Sequence, residues 1–150
     1  MTGVAIRSAR PSDIPRLAAL LAAGTLRGGE DAADLDPYRL ALEEITSADG
    51  NEVLVAELDS EVVGMCQLIM FRHLQERGGR CAEIESVHVD ERHRSAGIGG
   101  ALLETAIERA AAAGCYRVQL TSNKSRTAAH RFYERHGFAA SHEGFKRYLG

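Results

Sequence analysis

Apolar and polar residues alternate over positions 4–7, then give way to a wider spacing in which Ile14, Leu17, Leu20 and Leu21 fall on one side. The first pattern predicts a short strand and the second an amphipathic helix capped by Ser12, with Pro15 tolerated in its first turn and Gly24 as its stop. Residues 28–36 are acidic and glycine-bearing and carry no period. Helical spacing resumes over 37–48, with Tyr38, Leu42 and Ile45 on one face, and ends at Asp49-Gly50-Asn51.

Two β-branched, apolar runs follow at 53–58 and 62–72, joined by Asp59-Ser60-Glu61, a pattern that predicts a hairpin. A polar turn at 75–80 leads into a third run, 81–89. From Gly97 the positions Ile98, Leu102, Ala106, Ile107 and Ala110 recur at helical spacing up to Gly114. A strand over 116–121, a helix over 127–136 closed by Gly137, and a final extended segment over 138–149 complete the order. Helices interleaved with strands that pair first by hairpins and later by crossovers predict an α/β domain with a mixed, twisted sheet.

Composition narrows this picture. A chain of 150 residues fits one domain, expected to span 1–150. Cys66, Cys81 and Cys115 are an odd number without paired spacing, which predicts free thiols and a reducing, cytoplasmic setting. The start of the chain is polar, and no apolar run approaches the roughly 20 residues of a membrane helix, so no export and no membrane association are expected. A net charge of −3 with interspersed signs gives no basic face for nucleic acid. No dense His, Asp or Glu spacing predicts a metal site.

The candidate chemistry lies at Arg94-Ser-Ala-Gly97-Ile-Gly99, between a strand and a helix. There the first helical turn offers unpaired backbone N–H groups and the positive end of the helix dipole, and residues without a Cβ let a phosphate approach closely. A nucleotide P-loop would need Lys and Ser/Thr after its last glycine, where Gly100-Ala-Leu stands; a dinucleotide fingerprint would need GxGxxG on the first strand of a parallel unit. The sequence fits neither.

Arg94xxGly97xGly99, after Glu83-Ile-Glu85-Ser-Val-His-Val89, resembles the acyl-CoA signature of the GNAT N-acetyltransferase superfamily. Asn123 followed by Ala128-Ala-His-Arg-Phe-Tyr133-Glu-Arg-His-Gly-Phe138 is similar to that superfamily's C-terminal pattern, and Ile6-Arg7-Ser-Ala9 with Asp13 resembles its opening. Ser95 and Ala96 depart from it, standing where members often carry Gly and a basic residue. The resemblance implies a sheet of six to seven strands flanked by about four helices, with the fourth and fifth strands splayed apart. It implies acetyl-CoA as cosubstrate, its pyrophosphate on the backbone of Arg94, Ser95, Ala96, Gly97, Ile98, Gly99 and Gly100, and its pantetheine along Val87, His88 and Val89. Asn123 would hydrogen-bond the pantetheine, and Arg126 and Lys124 are candidates for the nucleotide phosphate, against a solvated charge as the more ordinary state of each.

An amine must shed a proton before it attacks a thioester, so a base is required. Glu83 and Glu85 share one face of a strand, roughly 6.6 Å apart, and both are candidates; the resemblance favours Glu83 on comparison with some members of the superfamily and Glu85 on comparison with others, with Glu83 narrowly preferred. A bulge would change which side chain reaches the cleft; without one, His88 points away from both. Tyr133 is the candidate acid for the leaving thiolate, with a core aromatic as its ordinary alternative. A backbone N–H at Val87 would steady the developing oxyanion. Cys81 reads as a small buried hydrophobe. His130 and His142 lie in a stretch that resembles the ending of aminoalkylphosphonate and related small-amine N-acetyltransferases, although surface or packing roles are the more ordinary ones.

The expected reaction is transfer of acetyl from acetyl-CoA to a primary amine, of a small molecule first, of a protein lysine or N-terminus second. A CoA-binding regulatory module without turnover is a third reading. The loops at 23–36 and 71–80 and the last strand are expected to choose the acceptor. A homodimer is implied by the resemblance alone.

Overall fold

The computed structural model describes residues 3–150. Strand β1 (Val4–Ser8) leads through a 3-10 turn into helix α1 (Ile14–Gly24), and helix α2 (Asp36–Ser47) follows the acidic loop. The hairpin forms as β2 (Glu52–Leu58) and β3 (Glu61–Arg72); Asp59 and Ser60 at its tip both take positive φ, as a two-residue turn matched to strand twist requires. A left-handed turn, α3 (Gln75–Gly78), leads to β4 (Arg80–Val89), and then come helix α4 (Ile98–Ala112), β5 (Cys115–Gln119) and helix α5 (Thr127–Arg135).

One sheet results, in the order β1-β2-β3-β4-β5, antiparallel up to β4 and parallel between β4 and β5 across the α4 crossover. Its two faces are buried separately. Leu54, Val63, Leu68 and Ile84 pack against Ile98, Leu102 and Leu103 of α4, while Val55, Val62 and Met65 pack against Leu17 and Leu20 of α1 and Leu42 of α2. Asp13, not Ser12, organises the entry to α1: it accepts the Arg10 N–H at 2.7 Å and both terminal nitrogens of Arg7 at 2.8 and 3.0 Å. Arg7 also reaches Glu57 on β2, so the turn is pinned to the sheet.

Two features of β4 position everything that follows. Its pairing with β5 ends at Glu83 opposite Gln119, so the strands part there and 84–89 have no partner on that side. Its pairing with β3 slips: Gln67 faces Glu85 and Met65 faces His88, leaving Cys66 opposite both Ser86 and Val87. This is a β-bulge, and Ser86 takes φ 54° to make it.

The sheet has five strands, not six or seven. The strand expected over 138–149 does not form. Gly144 lies against Thr121, past the end of β5, and no residue of the stretch pairs with the free outer edge of β5, so it gains no ladder. Phe145 and Leu149 are 94% and 87% exposed.

Candidate active site

The cradle forms at the end of β4. Asp90 accepts from the backbone and side chain of Arg92 and from Arg16 of α1, and these contacts, Arg92 foremost, hold its carboxyl well below the usual range. Arg16 also donates to the Val62 carbonyl at 2.8 Å, which ties the end of the strand to the first helix. Gly97 then caps α4 at φ 81°, and the first helical bond is given by Ala101 to the Gly97 carbonyl at 3.0 Å. The N–H groups of Ile98, Gly99 and Gly100 precede it and have no helical acceptor. A Cβ on Gly97 would meet nothing within 4 Å, so its requirement is conformational. Ser95 also sits in the left-handed region, at φ 64°.

A groove of about 860 Å³ runs over this cradle from α1 to α5, bordered by Val87, Val89, Arg94, Gly97, Gly99 and Arg126 among others. A second chamber of about 390 Å³ continues from it between the loop after α1, the parted strands and the C-terminal segment; Arg27, Ser86, Thr121, Asn123, Lys146 and Tyr148 border it. The two spaces share six residues: Gly24, Leu26, Val87, His88, Arg126 and Tyr133. The Tyr133 ring packs on the core beside Phe132 and Phe138, and burial pushes its hydroxyl above the ordinary phenol value.

This architecture fits the pyrophosphate and pantetheine of a CoA thioester. Unbonded N–H groups stand at a helix start, glycine leaves room above them, and an unpaired strand edge runs alongside. Residues 19–138 match the family described as Acetyltransferase (GNAT) family. The chain belongs to this family. Aminoalkylphosphonate N-acetyltransferase of Salmonella typhimurium is 37% identical over 126 residues, which span 82% of the chain and 71% of that protein. Glucosamine 6-phosphate N-acetyltransferase of Trypanosoma brucei brucei is 41% identical over 80 residues, 53% of the chain and 52% of that protein. A crystal structure described as a transcriptional regulator from Bacillus halodurans C-125 superposes with a TM-score of 0.92 at 39% identity, covering 97% of the chain and 99% of its own.

The chain is thus an acetyl-CoA-dependent N-acetyltransferase of the GNAT family, and its site residues fall into three groups. Val87 to Val89, Arg94, Ser95, Gly97 to Gly100, Arg126 and Tyr133 border the groove, and Ala96 does not. Asn123 borders the chamber, but its side-chain oxygen is taken by the Ser125 N–H and hydroxyl at 2.9 and 2.8 Å, which leaves the amide nitrogen as its donor. Lys124 pairs with Glu143 at 3.5 Å and borders neither space.

Glu83 and Glu85 are half-buried on the sheet face that carries α1, and neither borders the groove or the chamber. Gln119 donates to Glu83 at 2.7 Å. Burial, followed by the neighbouring charge of Glu83, raises the Glu85 pKa above its ordinary value against the pull of Lys146. His88 does not point away from them: the bulge returns it to their face, where it packs against Gly24. His130 is held on the Asn123 carbonyl at 2.8 Å and His142 on Ser141 at 2.7 Å, outside both spaces. Cys81 is fully buried, and the three cysteines are free. No group of three or more His, Cys, Asp or Glu among the described residues is arranged to hold a metal, and no described helix is long and apolar enough to cross a membrane.

Among the bordering residues not singled out individually from sequence are Arg27, Lys146 and Tyr148, which lie in the loop and the C-terminal segment expected to choose the acceptor. The Arg27 guanidinium lies 3.7 Å over the Tyr148 ring, closing the loop after α1 against the C-terminal segment. The 71–80 loop plays no part at either space. It sits at the opposite end of β4 from the cradle, where His73 meets Tyr116 at 2.7 Å.

Proposed function

We propose that this enzyme moves the acetyl group of acetyl-CoA onto the primary amine of a small molecule that also carries a phosphoryl or phosphonyl group, with 1–150 acting as one acyltransferase domain. The observation that carries the reading is the 390 Å³ chamber, joined to the groove at Val87 and Tyr133 and bordered by the cations Arg27, Arg126 and Lys146. A pocket of that volume, bordered by the C-terminal segment, matches a small acceptor. Guanidinium and ammonium groups suit a tetrahedral oxyanion. The names of two relatives agree, since both acceptors they print are amines bearing phosphorus oxyanions.

In this reading the N–H groups from Arg94 to Gly100 hold the pyrophosphate, Arg126 adds charge, the edge of Val87, His88 and Val89 aligns the pantetheine, and Asn123 donates to it. Bound there, acetyl-CoA supplies the activated acyl carbon. Tyr133 protonates the departing sulfur, a role supported by its place at the junction and its raised pKa. The β4 carboxylates receive the proton released by the amine. Glu83 is engaged by Gln119, so Glu85, with its raised pKa, is the better terminal acceptor. A homodimer is supported by β5 as an edge strand and by exposed Phe145 and Leu149, and light scattering of the eluting protein reads it directly.

The test is acetyl transfer against a panel of aminoalkylphosphonates, hexosamine phosphates, the same amines without phosphorus, and lysine or N-terminal peptides. Preference for the phosphorus-bearing amines is expected. Equal turnover of the amines without phosphorus sinks the anion recognition, and preferential turnover of peptides sinks the small-molecule reading.

A further inference from the structure

We propose that His88 is the side chain that takes the proton from the acceptor amine, ahead of the carboxylates behind it. The inference rests on the acetyl-transfer reading above. Its ground is the junction between groove and chamber, the place where an amine in the chamber meets a thioester in the groove. Six residues border both spaces. Gly24, Leu26 and Val87 have no titrating side chain, the Arg126 guanidinium has donors and no acceptor, and Tyr133 with its raised pKa keeps its proton at neutral pH. His88 is the one that remains with a lone pair to offer.

Geometry brings it there. The β4 bulge shifts His88 onto the face of Glu83 and Glu85, and α1 fixes the ring: a Cβ on Gly24 would collide with its Nδ1 edge, so helix and imidazole meet only because residue 24 is glycine. The opposite edge, with Nε2, is the one turned from the helix. The charges that act on the ring are those of Arg126, Glu30 and Arg94; Arg27, Lys146 and Tyr133 border the chamber with it, and Glu83 and Glu85 share its face of the sheet. Burial first, then Arg126 and Arg94, lower the imidazole pKa, with Glu30 opposing. The ring is therefore neutral, and able to accept, at physiological pH.

The step balances as follows. An ammonium N–H bond breaks, its proton passing to His88 Nε2 and its electron pair staying on nitrogen. That pair forms the C–N bond as the C–S bond breaks, the sulfur taking the Tyr133 proton, and the surplus proton on the new amide nitrogen returns to the Tyr133 oxygen. The imidazolium then releases its proton toward Glu85 or solvent.

The experiment compares pH profiles of kcat/KM for the wild type, His88→Gln and Glu85→Gln, alongside a proton NMR titration of the His88 ring and CoA affinity as a check on folding. The wild-type profile is expected to rise through a limb below the ordinary imidazole value of 6.5, matching the titrated ring. His88→Gln is expected to lose that limb and about 10²–10⁴-fold in rate at neutral pH with CoA affinity kept, and Glu85→Gln to be slower with the limb retained. A limb that vanishes in Glu85→Gln and persists in His88→Gln overturns the proposal, as does a ring pKa that differs from the kinetic one, a comparison that stands even if His88→Gln fails to fold. A wild type that transfers acetyl to no amine would instead overturn the reading on which this rests.

Discussion

The Gln119 side-chain amide donates to Glu83 across 2.7 Å at the last register position shared by β4 and β5. The pair sits at the fork where the strands part. One side chain thereby satisfies a half-buried carboxylate and marks how far the fork can close. Gln119→Leu leaves that carboxylate without its donor and is expected to cost about 1–3 kcal/mol, read as a lower urea midpoint with an unchanged m value, and to slow acetyl transfer.

Glu85 gives a pH signature in stability. Burial, with Glu83 next and Lys146 opposing, holds its folded-state pKa above the ordinary 4.5, so the folded protein binds more protons than the unfolded chain between those two values. Stability from this group is intact below about 4.5 and is lost as pH rises through the folded pKa. Glu85→Gln is expected to melt higher than the wild type at neutral pH, with the advantage vanishing in acid. Thermal melts across pH decide it, and a variant that is less stable at neutral pH contradicts the raised pKa.

Two backbone positions in the cradle should respond in opposite directions. Ser95 pays for φ 64° with roughly 1–2 kcal/mol of strain, so Ser95→Gly, after the greater chain entropy of glycine, is expected to gain up to about 1 kcal/mol. Gly97→Ala meets no atom but must adopt φ 81°; a loss of about 1–2 kcal/mol and weaker CoA binding are expected. Chemical denaturation and calorimetric titration with CoA measure both.

Tyr133→Phe keeps the ring packed on Phe132 and Phe138 and removes the hydroxyl. The expected result is unchanged CoA affinity with kcat reduced about 10²-fold or more. A purely structural ring would leave kcat within a small factor of the wild type.

Much of this was legible in the chain because local chemistry dictated it. The Gly97-Ile-Gly99 run announced the unbonded first turn of α4, though Gly97 serves there by its left-handed φ rather than by the room it was expected to leave; Asp59-Ser60 announced the hairpin, and Gly24 and Gly114 the helix ends. What failed depended on pairing. The C-terminal stretch has strand-like residues but leaves the outer edge of β5 unpaired, which its own residue pattern does not announce. The bulge did leave a trace: the aliphatic core-facing positions of β4 run Ala82 and Ile84, then Val87 and Val89, changing parity at Ser86. That change is what turns His88 toward the carboxylates. The segments of Arg27, Lys146 and Tyr148 were legible as those that choose the acceptor but these side chains were not, because the cleft they border is assembled from segments more than a hundred residues apart.

The C-terminal segment roofs the chamber while holding on through little more than the stacking of Arg27 on Tyr148 and the Lys124–Glu143 pair. None of residues 141–150 belongs to either apolar cluster. On the proposed reading, the choice of acceptor rests on a stretch that contributes nothing to either core, so substitutions there can change the amine without unfolding the sheet.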